Sequence, residues 1–89
     1  MITKKQYEEA IKDCDIIIKS DAKNLYAYHN KVMALRMLED YENALKSCDK
    51  IISYMGNIDN YGLVNTMIYK ISLYIKYHNQ LIYNTVYNQ

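Results

Sequence analysis

Eighty-nine residues, 51 % hydrophobic and 24 % charged, suffice for one small domain and are too apolar for a disordered chain. Eleven basic residues against ten acidic ones leave a net charge of +1, which excludes a global field able to gather nucleic acid or an anionic membrane. With no Pro and only Gly56 and Gly62, the chain lacks the turn residues that many short strands require, so an all-α single domain over residues 1–89 is expected.

The first predicted helix covers residues 3–20. Thr3 and Gln6 form a capping box at its start, and Tyr7, Ala10, Ile11, Cys14, Ile17 and Ile18 share one stripe at helical spacing. No apolar run of signal-peptide length follows the charged opening residues, so an intracellular, cytoplasmic location is expected. The second predicted helix, residues 25–38, is capped by Asn24 and gathers Ala27, Tyr28, Val32, Ala34, Leu35 and Leu38 on one side, with Lys31 among them. Only Glu39-Asp40 follows it. So short a connection forces the third helix, capped by Asp40 and starting at Tyr41, to run antiparallel beside the second.

That third helix repeats the first. A shift of thirty-four residues lays Tyr7-Glu8-Glu9-Ala10-Ile11-Lys12-Asp13-Cys14-Asp15-Ile16-Ile17-Ile18 over Tyr41-Glu42-Asn43-Ala44-Leu45-Lys46-Ser47-Cys48-Asp49-Lys50-Ile51-Ile52, with eight identities. Self-similarity at a fixed period of this length is the mark of stacked helical units. A weaker third copy follows, in which Tyr77-His78-Asn79-Gln80-Leu81 echoes Tyr41-Glu42-Asn43-Ala44-Leu45 at a spacing of thirty-six. Placing the two extra residues in Gly56-Asn57-Ile58-Asp59-Asn60 makes Leu63, Val64, Met67, Ile68, Ile71 and Tyr74 the buried stripe of a third hairpin. Without that shift the stripe contains Gly62, Asn65, Thr66 and Ser72. A single long helix from Gly62 to about Asn88 is the competing arrangement.

Ala27-Tyr28, Asn30, Ala34-Leu35, Leu38, Asp40-Tyr41, Ala44-Leu45 and Ile52 together resemble the tetratricopeptide repeat, a thirty-four-residue helix–turn–helix unit. Lys31, Val32 and Cys48 depart from its favoured residues, as do Ala22 and Gly56, which stand where Pro usually ends the unit. The resemblance implies antiparallel hairpins stacked as a short right-handed solenoid of about five helices. Its parts are a lone second-type helix (3–20), a full repeat (25–55) and a divergent repeat (61–88).

The family's first-type helices line a concave groove that takes a peptide or helical segment of a partner. Carried onto this chain, the groove positions are Tyr26, His29, Asn30, Met33, Arg36 and Met37, followed by Asn65, Thr66 and Tyr69 if the insertion is placed as above. Within the family, modules that clamp the terminal carboxylates of heat-shock chaperones need basic side chains where this chain has Gly62 and Thr66, so that ligand is disfavoured.

The other function classes are thinner. Cys14 and Cys48 sit on buried stripes as inert core thiols, no short Cys or His spacing forms a metal site, and no catalytic set converges; neither a cofactor nor an enzyme activity is expected. The last thirty residues hold six Tyr that could stack on bases, but Lys70 and Lys76 neutralise few phosphates, which disfavours nucleic acid. The longest apolar-leaning stretch is too short and too interrupted to span a membrane. A stack lacking its first hairpin partner leaves a flank of the first helix uncovered, so self-association through Ile11, Ile16 and Ile18 into a homo-oligomer is the alternative to a protein or peptide partner.

Overall fold

The computed structural model describes residues 2–55 and 60–87. Among them are four helices and no strand: α1 (Lys4–Ser20), α2 (Leu25–Met37), α3 (Tyr41–Met55) and α4 (Asn60–Tyr87). Each packs on its neighbour in sequence, giving an elongated body of 44 × 29 × 22 Å.

Side chains that can satisfy free backbone groups set the ends of the first three helices. At α1 the Gln6 amide donates to Thr3 Oγ1 at 3.3 Å while the Thr3 amide donates to Gln6 Oε1 at 2.8 Å, the expected capping box. At α2 the Ala27 amide donates to Asn24 Oδ1 at 3.1 Å. The α2–α3 link is a Schellman turn: the Glu39 amide donates to the Arg36 carbonyl and the Asp40 amide to the Leu35 carbonyl, both at 2.9 Å. This places Glu39 at φ 60°, a left-handed conformation that favours glycine and costs about 1 kcal/mol for a residue with a Cβ. Asp40 then holds the Asn43 side chain and amide and starts α3.

The core lies between α2 and α3. Tyr28, Val32 and Leu35 meet Ala44, Cys48, Ile51 and Met55, and Leu73 joins them from α4; Ile11 and Ile18 of α1 pack against the same cluster. Ala44, at 0 % exposure, has the small side chain that close approach of two helices requires. The two echoed cysteines occupy similar surroundings. Both are buried, and each stands beside an aspartate that pairs with a lysine of the next helix: Lys31 with Asp15 at 2.6 Å, and Lys70 with Asp49.

Burial pushes both thiols up, reinforced by the Asp15 and Asp13 carboxylates at Cys14 and by Asp49 at Cys48, which reaches about 11. A raised acid favours its neutral form in the fold. The resulting stabilisation is full below the unfolded thiol's value near 9 and is lost as pH rises from there through about 11. We expect the urea midpoint to fall across that window by the equivalent of up to about 3 kcal/mol more in the native chain than in a Cys48→Ala variant, in which this titration is missing. Equal alkaline losses in the two proteins would show that the thiol is not responsible.

The C-terminal third departs from expectation. In place of a third hairpin, and hence of a fifth helix, α4 is one continuous helix of 28 residues. No Gly or Pro interrupts it after Gly62, so nothing in Ser72-Leu73-Tyr74-Ile75-Lys76 stops the backbone ladder. Its buried face is also different. Val64, Met67, Ile68, Ile71 and Tyr74, expected inside, are exposed, while Gly62, Thr66, Tyr69 and Leu73 turn toward the core. The first three lie thirty-four residues after Tyr28, Val32 and Leu35, so the period continues with no two-residue shift. The place assigned to that shift falls on residues 56–59, outside the described ones, as does the side chain of Leu63. The polar face can be buried because its groups are satisfied locally: Thr66 Oγ1 donates to the Gly62 carbonyl at 2.8 Å and Lys70 reaches Asp49.

Candidate functional site

Two hollows open on either side of the exposed edge of α2. The first, about 440 Å³, has Val32, Cys48, Ile51 and Met55 as its apolar floor, His29 and Met33 along one wall, and Gly62, Asn65, Thr66 and Tyr69 along the other. The second, about 470 Å³, lies between α1 and α2 and is bounded by Ile2, Gln6, Tyr7 and Ala10 on one side and Asn30, Met33, Ala34 and Met37 on the other. Met33 belongs to both. An extended chain crossing α2 at Met33 could reach from one hollow into the other.

Local sequence explains how these walls arise. Asn24 fixes the start of α2, so His29, Asn30, Met33 and Met37, at offsets of one turn, form its outer edge while Val32 and Leu35 go inside. On α4, Gly62 stands at the period position of Tyr28 and supplies no side chain, which leaves the first hollow open where a large residue would fill it. The Tyr69 hydroxyl donates to Met33 Sδ at 3.7 Å and ties the two walls together at one end. Burial pushes that phenol above its ordinary range, and the Arg36 guanidinium beside it opposes the shift.

Of the nine residues expected to meet a partner, five converge on the first hollow: His29, Met33, Asn65, Thr66 and Tyr69. Asn30 and Met37 line the second. Arg36 is half-buried against Tyr69, and Tyr26 is 84 % exposed on the outer surface of α2. Thr66 lines the first hollow at 5 % exposure, its hydroxyl donating to the Gly62 carbonyl at 2.8 Å and lying 3.9 Å from Met55 Sδ.

The α1 contribution from Ile2, Gln6, Tyr7 and Ala10 was not among the expected site residues. Its signal was present, since a first helix expected at the end of a stack has one flank uncovered. That flank carries Ala10 and Ile17, Ile16 is exposed on the opposite flank of α1, and Ile11 and Ile18 are half-buried against the core.

A larger hollow of about 700 Å³ lies between α1 and α3, with Ile11, Ile18, Tyr28 and Leu35 in its lining beside lysines and carboxylates, among them the paired Lys31 and Asp15. Among the described residues no group of three or more His, Cys, Asp or Glu is placed to hold a metal ion, and no helix is long and apolar enough to cross a membrane. No family model, curated protein or solved structure matches this chain.

Proposed function

We propose that the chain is a protein–protein interaction module of tetratricopeptide type, a short right-handed helical stack acting in the cytoplasm and binding an extended peptide segment of another protein. The observation that carries this reading is the convergence of His29, Met33, Asn65 and Tyr69 on one apolar-floored hollow between α2 and α4. The thirty-four-residue echo, the antiparallel α2–α3 pair and the full burial of Ala44 support the repeat assignment.

The chemistry suits a peptide. Met33 and Met37 adapt to the shape of an apolar side chain, and His29, Asn30 and Asn65 offer donors and acceptors to an extended backbone. The apolar floor gives a partner side chain somewhere to shed water.

Peptides selected from a random display library on the immobilised protein provide the test. Met33→Lys, which puts a charge at the junction of the two hollows, and Gly62→Leu, which fills the first, are each expected to weaken the selected peptides about tenfold, equivalent to about 1.4 kcal/mol. Ile16→Ser, on the far flank of α1, should leave them unchanged. Selected peptides that bind both groove variants as tightly as the native chain would remove this reading.

A further inference from the structure

The outer face of α4 carries a second, independent feature. Val64, Met67, Ile71, Tyr74, His78, Leu81 and Thr85 follow one another at alternating steps of three and four, and Ile68, Ile75 and Ile82 flank them at intervals of seven. A seven-residue apolar repeat held over three turns of the pattern is the seam of a helix that pairs with another helix. All ten side chains are exposed.

We propose that this seam is covered by α4 of a second copy of the chain, in an antiparallel two-fold dimer whose axis passes between Tyr74 and Ile75. Several observations favour that occupant. The seam is symmetric about its midpoint: antiparallel pairing sets Met67 against Ile82, Ile68 against Leu81, Ile71 against His78 and Tyr74 against Ile75 of the other copy.

Area is in range as well. The eight large apolar members are 46–60 % exposed, so that at roughly 150–200 Å² for each whole side chain, Tyr74 the largest, the stripe offers about 650–850 Å² per copy. A standard interface needs about 800 Å² per partner. Charge raises no barrier, because the described part of α4 holds no carboxylate and its lysines are Lys70, engaged with Asp49, and Lys76.

The direction follows from the length of the helix. The Gln80 side chain donates to the Glu39 carbonyl at 3.5 Å beside the start of α3, and residues 81–87, all exposed, run on past that level. Antiparallel pairing lays this overhang across the 64–68 segment of the other copy. Parallel pairing would set the two overhangs only against each other, beyond the bodies of both copies, and align the helix dipoles unfavourably.

Sedimentation and light scattering over a concentration series are expected to give twice the chain mass, and Ile68→Lys with Ile82→Lys to return it to a monomer with unchanged helical circular dichroism. Single introduced cysteines then report direction, the native Cys14 and Cys48 being buried. Ile75→Cys should cross-link to itself on mild oxidation; Met67→Cys should cross-link in a mixture with Ile82→Cys and not with itself. A monomer at every concentration, a dimer indifferent to the lysine pair, or Met67→Cys joining to itself would each overturn the proposal. The peptide groove lies on the other side of α2 and α4, so either proposal can fail alone.

Discussion

Leu73→Ala is expected to destabilise the protein by about 2–4 kcal/mol, the usual cost of deleting a fully buried leucine side chain and leaving a partly uncollapsed cavity. Leu73 is 0 % exposed and is the α4 member of the central cluster with Cys48 and Ile51. A small domain has little reserve, so a loss of this size consumes much of its total stability. Ile71, two residues away, is exposed. Ile71→Ala should therefore change unfolding of the isolated chain by no more than about 0.5 kcal/mol while weakening any pairing through the outer face of α4. Urea unfolding measured at low concentration, where pairing is minimal, separates the two; equal losses would mean that the face assignment of α4 is wrong.

The second large effect concerns the repeat itself. Ala10 and Ala44 are thirty-four residues apart and occupy the same place in the echoed segment, yet Ala44 is sealed between α2 and α3 while Ala10 borders the open hollow between α1 and α2. Ala44→Leu forces three more carbon atoms into the fully buried α2–α3 packing and should cost about 2–3 kcal/mol. Ala10→Leu should be neutral within about 0.5 kcal/mol, because the added atoms meet empty space. Thermal unfolding of both variants is the measurement. A costly Ala10→Leu would mean that something covers α1 in solution.

Both contrasts mark where the sequence could be read. Capping residues declare helix ends through local bonds, so Thr3-Gln6, Asn24 and Asp40 gave α1, α2 and the start of α3 to within a residue. The echo put Cys14 and Cys48 on the buried faces of their helices, although only Cys48 belongs to the central cluster. The exposed edge of α2 was legible in the same way: once Val32 and Leu35 go inward, His29, Asn30 and Met33 must lie outside.

The face and length of α4 were not legible. Hydrophobic periodicity identifies the most apolar stripe, here Val64 to Tyr74, but it cannot say whether that stripe meets the same chain. The packed face instead carries Gly62, Thr66 and Lys70, whose polarity becomes harmless only when a carbonyl one turn back and the Asp49 carboxylate are in reach. Sequence alone thus determined the helical class, the hairpin and the thirty-four-residue period, all products of local bonds and spacing. Tertiary structure decided which side of α4 is buried and that it runs unbroken, because those outcomes depend on partners distant in the chain.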